Sequence, residues 1–180
     1  MPITTKGINH PAFYGRNLDE TITFYTEVLG MRLVLRQPNL DEPRLTHLFF
    51  SAGGGAFFAF FIPNDDGDLK LSEGSEGIGS LQHIALNLTV SIEEAMETLN
   101  RYNIKFKGPI DRGYERSLYF HDPNGIKVEL MTWKTPLPRG ADEADIIARA
   151  QTLREREGAY NIEEEHVRQA MSESGLSSPD

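Results

Sequence analysis

The 180 residues include no cysteine. Disulfide frameworks, thiolate zinc sites, iron–sulfur clusters and Cys nucleophiles are therefore excluded together, and any metal must be held by His, Asp or Glu. Cations are scarce as well: 18 Lys and Arg stand against 27 Asp and Glu, a formal net charge of −9. Phosphate-backbone binding rests on clustered Lys and Arg, so the balance argues against a nucleic-acid partner. Long apolar runs are missing too. The longest strongly apolar one, residues 56–62, falls far short of the ~20 residues that span a bilayer. MPITTKGINH carries no apolar segment of the secretory kind, so a cytoplasmic protein without a membrane partner is expected. What remains is ordinary for a folded chain, with 39% apolar and 25% charged residues, and the length suits one domain or two small repeats sharing a core.

The pattern of elements runs twice. Residues 6–13 read as a strand, with Pro11 tolerated near an edge or bulge. Residues 18–29 read as a helix with Asn17 as N-cap, Gly30 as stop and Leu18, Ile22, Tyr25 and Leu29 on one face. Strands over 31–36, 44–51 and 56–62 follow, the last two joined by Gly53-Gly54-Gly55. A polar, turn-rich linker over 63–79 precedes a second strand at 80–88. Ser91 and Glu94 then form a capping box for a helix burying Ile92, Ala95, Met96 and Leu99, and strands at 104–107, 116–121 and 126–132 close the series, with a DPNG turn between the last two.

An offset of 73 places His10 on His83 and Ala12 on Ala85. Near the end of each half an offset of 70 places Phe50 on Phe120 and Ala59 on Glu129. This is a tandem βαβββ repeat, with module one at 6–62 and module two at 80–133. Residues 134–180 break it. A Pro-rich connector leads to a helix carrying Ile146, Ala150 and Leu153, then a second helix near 162–172, and GLSSPD should fray.

Two His and one carboxylate on one face of an octahedral ion leave three positions open. His10 and His83 hold equivalent first strands and Glu129 lies on the last strand of module two, so these three are candidate metal ligands. The alternative for each is a hydrogen-bonded structural histidine or a solvated strand carboxylate.

The stretches NHPAFYGRNLDETITFYTEVLGMRLV and LYFHDPNGIKVEL resemble the vicinal oxygen chelate superfamily of glyoxalases, fosfomycin-resistance proteins and type I extradiol dioxygenases, over residues 6–133. The resemblance implies an α+β fold in which two tandem βαβββ modules form an open, metal-cupping mixed β-barrel, here followed by a helical C-terminal tail. Glyoxalase-like members add a carboxylate where this chain has Ala59, leaving three ligands. DRGYERSLYFHDP and PRLTHLFFSAGGGAFFAFFIP are similar to segments of ring-cleaving dioxygenases, the hydroquinone-cleaving type included.

That similarity implies Fe(II), or Mn(II) or another divalent ion, at His10, His83 and Glu129, with a small aromatic substrate and O2 as partners. It gives Tyr119 the role of the active-site tyrosine and makes Arg112 a cation steadying phenolate or oxygen-derived charge. In each, the alternative is an aromatic core residue or a surface cation. The best-matched ring-cleaving enzymes carry two double modules, which makes a homodimer the expected assembly here. No residue in AFFAFF can serve as the proton-shuttling His of catechol-cleaving enzymes, and His47 is the candidate to replace it, against a structural role beside Leu45 and Phe49. His121 is expected to be exposed, and His166 has no nameable partner. Phe49, Phe58, Phe60, Tyr114 and Phe120 are candidates for an aromatic pocket. Rival readings are a metal-dependent lyase, epimerase or thiol transferase, and a ligand-sequestering module of the bleomycin-resistance kind.

Overall fold

Gly53, Gly54 and Gly55 all adopt positive φ (87°, 55° and 80°), a region glycine enters without steric cost. They reverse the chain between β3 (Leu45–Gly53) and β4 (Ala56–Pro63). The computed structural model describes residues 2–64, 74 and 77–175. Most of the expected linker over 63–79 and nearly all of GLSSPD lie outside them. The chain forms two compact units, Met1–Gln82 with His121–Lys127, and His83–Phe120 with Val128–Asp180.

In the first unit, β3 and β4 join β1 (Ala12–Tyr14) and β2 (Arg32–Pro38) in a sheet ordered β1-β4-β3-β2, with β1 parallel to β4. The strand expected from residue 6 is thus only three residues long. Pro11 has no N–H for a ladder, although the Asn9 and Pro11 carbonyls still accept from the Phe57 and Ala59 amides at 2.9 and 3.0 Å. His10 therefore precedes the strand rather than lying on it.

Asn17 caps α1 (Leu18–Thr23) through the Glu20 amide. The helix then widens into a π-helical turn, Phe24–Val28, before Gly30 ends it at φ 66°. The wider turn rotates the inward face: Thr21, Phe24 and Tyr25 are buried, and of the four expected face residues only Tyr25 is fully so. Tyr25 stacks on Phe50 and touches Phe60, within a core completed by Leu48, Phe58 and Ile62. The 121–127 turn belongs to this unit, and its Asp122, 5% exposed, accepts from the Tyr25 hydroxyl at 3.1 Å.

In the second unit, β5 (Ile84–Asn87), β6 (Lys107–Asp111), β7 (Glu115–His121) and β8 (Lys127–Trp133) repeat the same order, β5-β8-β7-β6. Ala12 pairs with Ala59 in the first sheet and Ala85 with Glu129 in the second, so the register carries the internal repeat. The strands make two separate four-stranded sheets and not one closed barrel. The strand expected at 80–88 covers only 84–87, which puts His83 just before it. The strand expected at 104–107 lies instead at 107–111. The end of α2 (Ile92–Arg101) still claims the Ile104 amide through Leu99 O at 2.9 Å, and Asn103 at φ 55° turns the chain there.

The capping box on α2 is complete, Ser91 Oγ accepting from the Glu94 amide and Glu94 accepting from the Ser91 amide. Ser91→Ala should therefore cost about 1 kcal/mol, read as a fall of roughly 2–4 °C in Tm. Two further helices, α3 (Glu143–Glu157) and α4 (Glu164–Glu173), bury Ile146, Ala150 and Leu153 against Val167, Ala170 and Met171. Tyr114 and Trp133, from the ends of the second sheet, pack on this cluster, so the C-terminal extension is part of the second unit. Among the described residues no helix is long and apolar enough to cross a membrane.

Candidate functional site

Glu129 sits mid-strand on β8, where alternation turns its side chain to the face that Tyr119 occupies on β7. It is 5% exposed. A carboxylate in that position needs strong partners, because desolvation penalises its charge. It has two: His83 Nε2 lies 2.8 Å from Oε2, and the Tyr119 hydroxyl donates to Oε1 at 2.5 Å. Arg112, from the turn between β6 and β7, donates from Nη2 to the Tyr119 oxygen at 3.3 Å, and its guanidinium stands 5.4 Å from the centre of the Tyr119 ring. The structure thus joins His83, Glu129, Tyr119 and Arg112 in one cluster. The solvated carboxylate entertained for Glu129 does not describe it.

Burial raises the Tyr119 hydroxyl above the ordinary tyrosine value, and its bond to Glu129 adds to this while Arg112 opposes it. Tyr119 is therefore a protonated donor at neutral pH. Glu115, which the sequence reading missed, is also raised, first by burial and then by the charge of Glu129. Tyr114 is pushed up to about 12, chiefly by burial and next by Glu115.

His10 and His47 lie in the first unit, with Phe49 between them at ring separations of 5.1 and 4.7 Å. The His10 Nδ1 meets Asn9 Oδ1 at 2.7 Å. The His47 ring stacks on Phe61, 4.5 Å between centroids, and its buried Nε2 has no hydrogen-bond partner among the described residues. Burial, then the charge of His10, hold it below the ordinary imidazole value. The same burial that keeps the imidazole neutral also shields this nitrogen from solvent.

The aromatic candidates separate by strand parity. Phe49 shares the half-buried sheet face with His47, whereas Phe58, Phe60 and Phe120 are core residues and Tyr114 is stacked edge-on against Trp133. The sequence reading missed Phe57 and Phe61. Their register opposite Ser51 and His47 could have been found by carrying the two-residue period through the glycine turn. His121 is exposed as expected. His166 does have partners: it is buried, its Nδ1 accepts from the Glu163 amide at 2.8 Å, and its Nε2 meets Glu157 at 3.1 Å.

Imidazole nitrogen and carboxylate oxygen suit Fe(II), Mn(II) or Zn(II). His83 and Glu129 are two such donors, already adjacent at 2.8 Å. Among the described residues no group of three or more His, Asp or Glu is gathered around a common point.

Paired four-stranded modules of this order, with a buried strand glutamate in the second, define a class, and the chain belongs to the Glyoxalase/Bleomycin resistance protein/Dioxygenase superfamily, whose model matches residues 7–130. "Putative ring-cleaving dioxygenase MhqE" of Bacillus subtilis (strain 168) is 34% identical over 76 residues, 41% of this chain and 25% of that protein. "Putative ring-cleaving dioxygenase MhqO" of the same organism is 28% identical over 134 residues, 73% of this chain and 41% of that protein. The chain thus spans well under half the length of these relatives. A lactoylglutathione lyase of Neisseria meningitidis is 27% identical over 125 residues, 66% of this chain and 85% of that protein. Among solved structures, a glyoxalase family protein from Enterococcus faecalis superposes with a TM-score of 0.57 at 26% identity, covering 71% of this chain and 98% of that one. A "putative dioxygenase" from B. subtilis gives 0.58 at 26% identity, covering 71% and 40%. The fosfomycin resistance protein FosX from Listeria monocytogenes, solved with Mn(II) and sulfate, shares the fold at 0.53 and 18% identity, covering 72% and 93%.

Proposed function

We propose that the chain is a ring-cleaving dioxygenase that inserts both atoms of O2 into a catechol or hydroquinone-like substrate. The observation that carries this reading is the buried Glu129 held between His83 and Tyr119, with Arg112 on the far side of the tyrosine. The relatives named for ring cleavage support it, and so does Ala59, which pairs with Ala12 as Glu129 pairs with Ala85. Ala59 offers no fourth carboxylate.

On this reading His83 and Glu129 would hold Fe(II), or Mn(II), with His10 as the third ligand that the superfamily resemblance implies. The bound ion supplies a Lewis-acid centre and a path for electrons between an aromatic diolate and O2. The protein's own groups do the rest. His47, kept neutral by desolvation, is the nearby imidazole assigned acid–base work, and that role requires substrate binding to uncover its buried Nε2. Phe49, Phe57 and Phe61 offer flat apolar surface to the substrate ring. The Tyr119 hydroxyl donates to oxygen as negative charge develops there, and Arg112, fixed against Tyr119, stabilises that charge. The net reaction consumes one diol and one O2, so no external reductant is required.

Oxygen uptake by protein loaded anaerobically with Fe(II) or Mn(II), over a panel of catechols and hydroquinones beside His83→Ala, tests the reading. The expected result is uptake with a ring-opened product, lost in the variant. Stoichiometric metal without uptake would move the assignment to the lyase or transferase chemistry that the lactoylglutathione lyase relatives suggest. Absence of metal binding would leave a ligand-sequestering module.

A further inference from the structure

Arg112 stands on a turn between two strands, where a long, flexible side chain is ordinarily poorly fixed. Immobilising an arginine costs rotamer entropy, and its contacts to Tyr119 are one 3.3 Å hydrogen bond and one ring face. The turn itself, however, is held from several sides. Lys134 Nζ, just past β8, donates to Asp111 Oδ2 and to the Gly113 carbonyl, both at 2.8 Å. The Gly113 amide donates to Asp111 Oδ1 at 2.8 Å, and the Lys134 amide donates to Tyr114 O at 2.9 Å.

The far side of the turn meets the C-terminal extension. Gly113 is at φ 91°, and a Cβ there would fall 2.1 Å from the Ile162 carbonyl and 2.7 Å from Asn161 Nδ2, in the connector between α3 and α4. Tyr114, the next residue, is seated on Trp133 within the cluster those helices form. The residues flanking Arg112 are thus clamped to the extension while its side chain reaches the candidate site.

We propose that the C-terminal extension positions Arg112 against Tyr119, with Lys134 and Gly113 as the positioning residues. Lys134 holds Asp111 and the Gly113 carbonyl, and Gly113 abuts the 161–162 connector, so their influence runs through the backbone of the 111–114 turn. The bearing of this device on catalysis rests on the dioxygenase reading, whereas the placement of Arg112 does not.

The test uses the full isotope-labelled chain and follows the Arg112 Nε–Hε resonance by NMR, identified by its loss in Arg112→Lys. Tyr119→Leu marks where that resonance falls once the aromatic ring is gone. Lys134→Met keeps the apolar stem and removes the donor. It should move the resonance toward the Tyr119→Leu position and speed its hydrogen exchange, and Lys134→Arg should restore both. Asp111→Asn, at a side chain 63% exposed, should shift it the same way by less, and it decides the matter alone if Lys134→Met does not fold. A resonance that stays in place in the folded variants would overturn the proposal.

In protein that shows oxygen uptake, Lys134→Met should lower kcat about tenfold with KM little changed, as expected of a misplaced group rather than lost substrate contact. Combined with Arg112→Ala it should add nothing further. A full additional loss would overturn the route through Arg112. A wild type without uptake would count against the dioxygenase reading and leave the NMR result to stand by itself.

Discussion

Glu129→Gln should abolish stoichiometric binding of Fe(II) or Mn(II) and, with it, oxygen uptake, while the protein stays folded. The amide keeps the volume of the carboxylate, so the buried site is not emptied and the cavity cost of an alanine is avoided. It loses the charge that a divalent ion requires. Removing an outer-shell partner of a ligand commonly weakens a metal site by about 10- to 100-fold, and removing a ligand should exceed that range. Tyr119→Phe separates the two roles met at this carboxylate. It deletes the donor to Glu129 Oε1 and leaves His83 and the acid in place. Metal should still bind, with affinity lowered by no more than about tenfold, and kcat should fall by about 100-fold, the usual scale for a lost proton donor. Metal analysis and steady-state uptake on the same preparations read both numbers. Tyr119→Phe with unchanged kcat would confine the tyrosine to a packing role.

Local signals were legible because the chemistry that sets them is local. Asn17, the Ser91–Glu94 box and the glycine run at 53–55 each act within a few residues, and each appears where the sequence places it. The repeat was legible because Ala59 and Glu129 occupy the same register against Ala12 and Ala85. Strand limits were not. His10 and His83 fall outside β1 and β5 because ladder hydrogen bonds, decided by the neighbouring strand, set those ends. The π-helical turn at Phe24–Val28 rotates the helix face by a residue, and no spacing rule for a regular helix anticipates it. In the candidate site, Tyr119 and Arg112 came from family resemblance and not from spacing. Their contact with one another and with Glu129 spans a turn and two strands, which periodicity along one strand does not encode. Two of the aromatic candidates failed for a similar reason: Phe58 and Phe60 satisfy any composition rule for a pocket, and parity alone sends them to the core.

Asp122→Ala should be the most destabilising single change outside the hydrophobic core. The DPNG turn that the sequence reading treated as a simple hairpin connection is packed against α1, and Asp122 is its centre. Its Oδ1 accepts from the Asn124 and Ile126 amides at 2.9 and 2.7 Å, and its Oδ2 accepts from the Tyr25 hydroxyl and Asn124 Nδ2 at 3.1 and 3.0 Å. Asn124 in turn accepts from the Arg16 amide at 2.9 Å. Alanine would strand the hydroxyl of a fully buried tyrosine and two backbone amides, each worth about 1–3 kcal/mol when left unsatisfied. Partial relaxation makes a total of about 3–4 kcal/mol reasonable, a fall of roughly 10 °C in Tm for a chain of this size. Asp122→Asn keeps one acceptor oxygen and should cost about half as much. The pH dependence distinguishes the two effects acting on this carboxyl. Burial raises its pKa above the ordinary 3.8, against the hydrogen bonds from Asn124, Ile126 and Tyr25 that lower it. With the folded value above the unfolded one, the folded state binds the proton more tightly, so this group's contribution is fully present below 3.8 and is lost as pH rises through the folded value. Urea unfolding of wild type and Asp122→Asn across the acid range should show the difference between them narrowing as pH rises. A difference that widens would mean that the four donors outweigh desolvation and that the ionised carboxylate is the form the fold prefers.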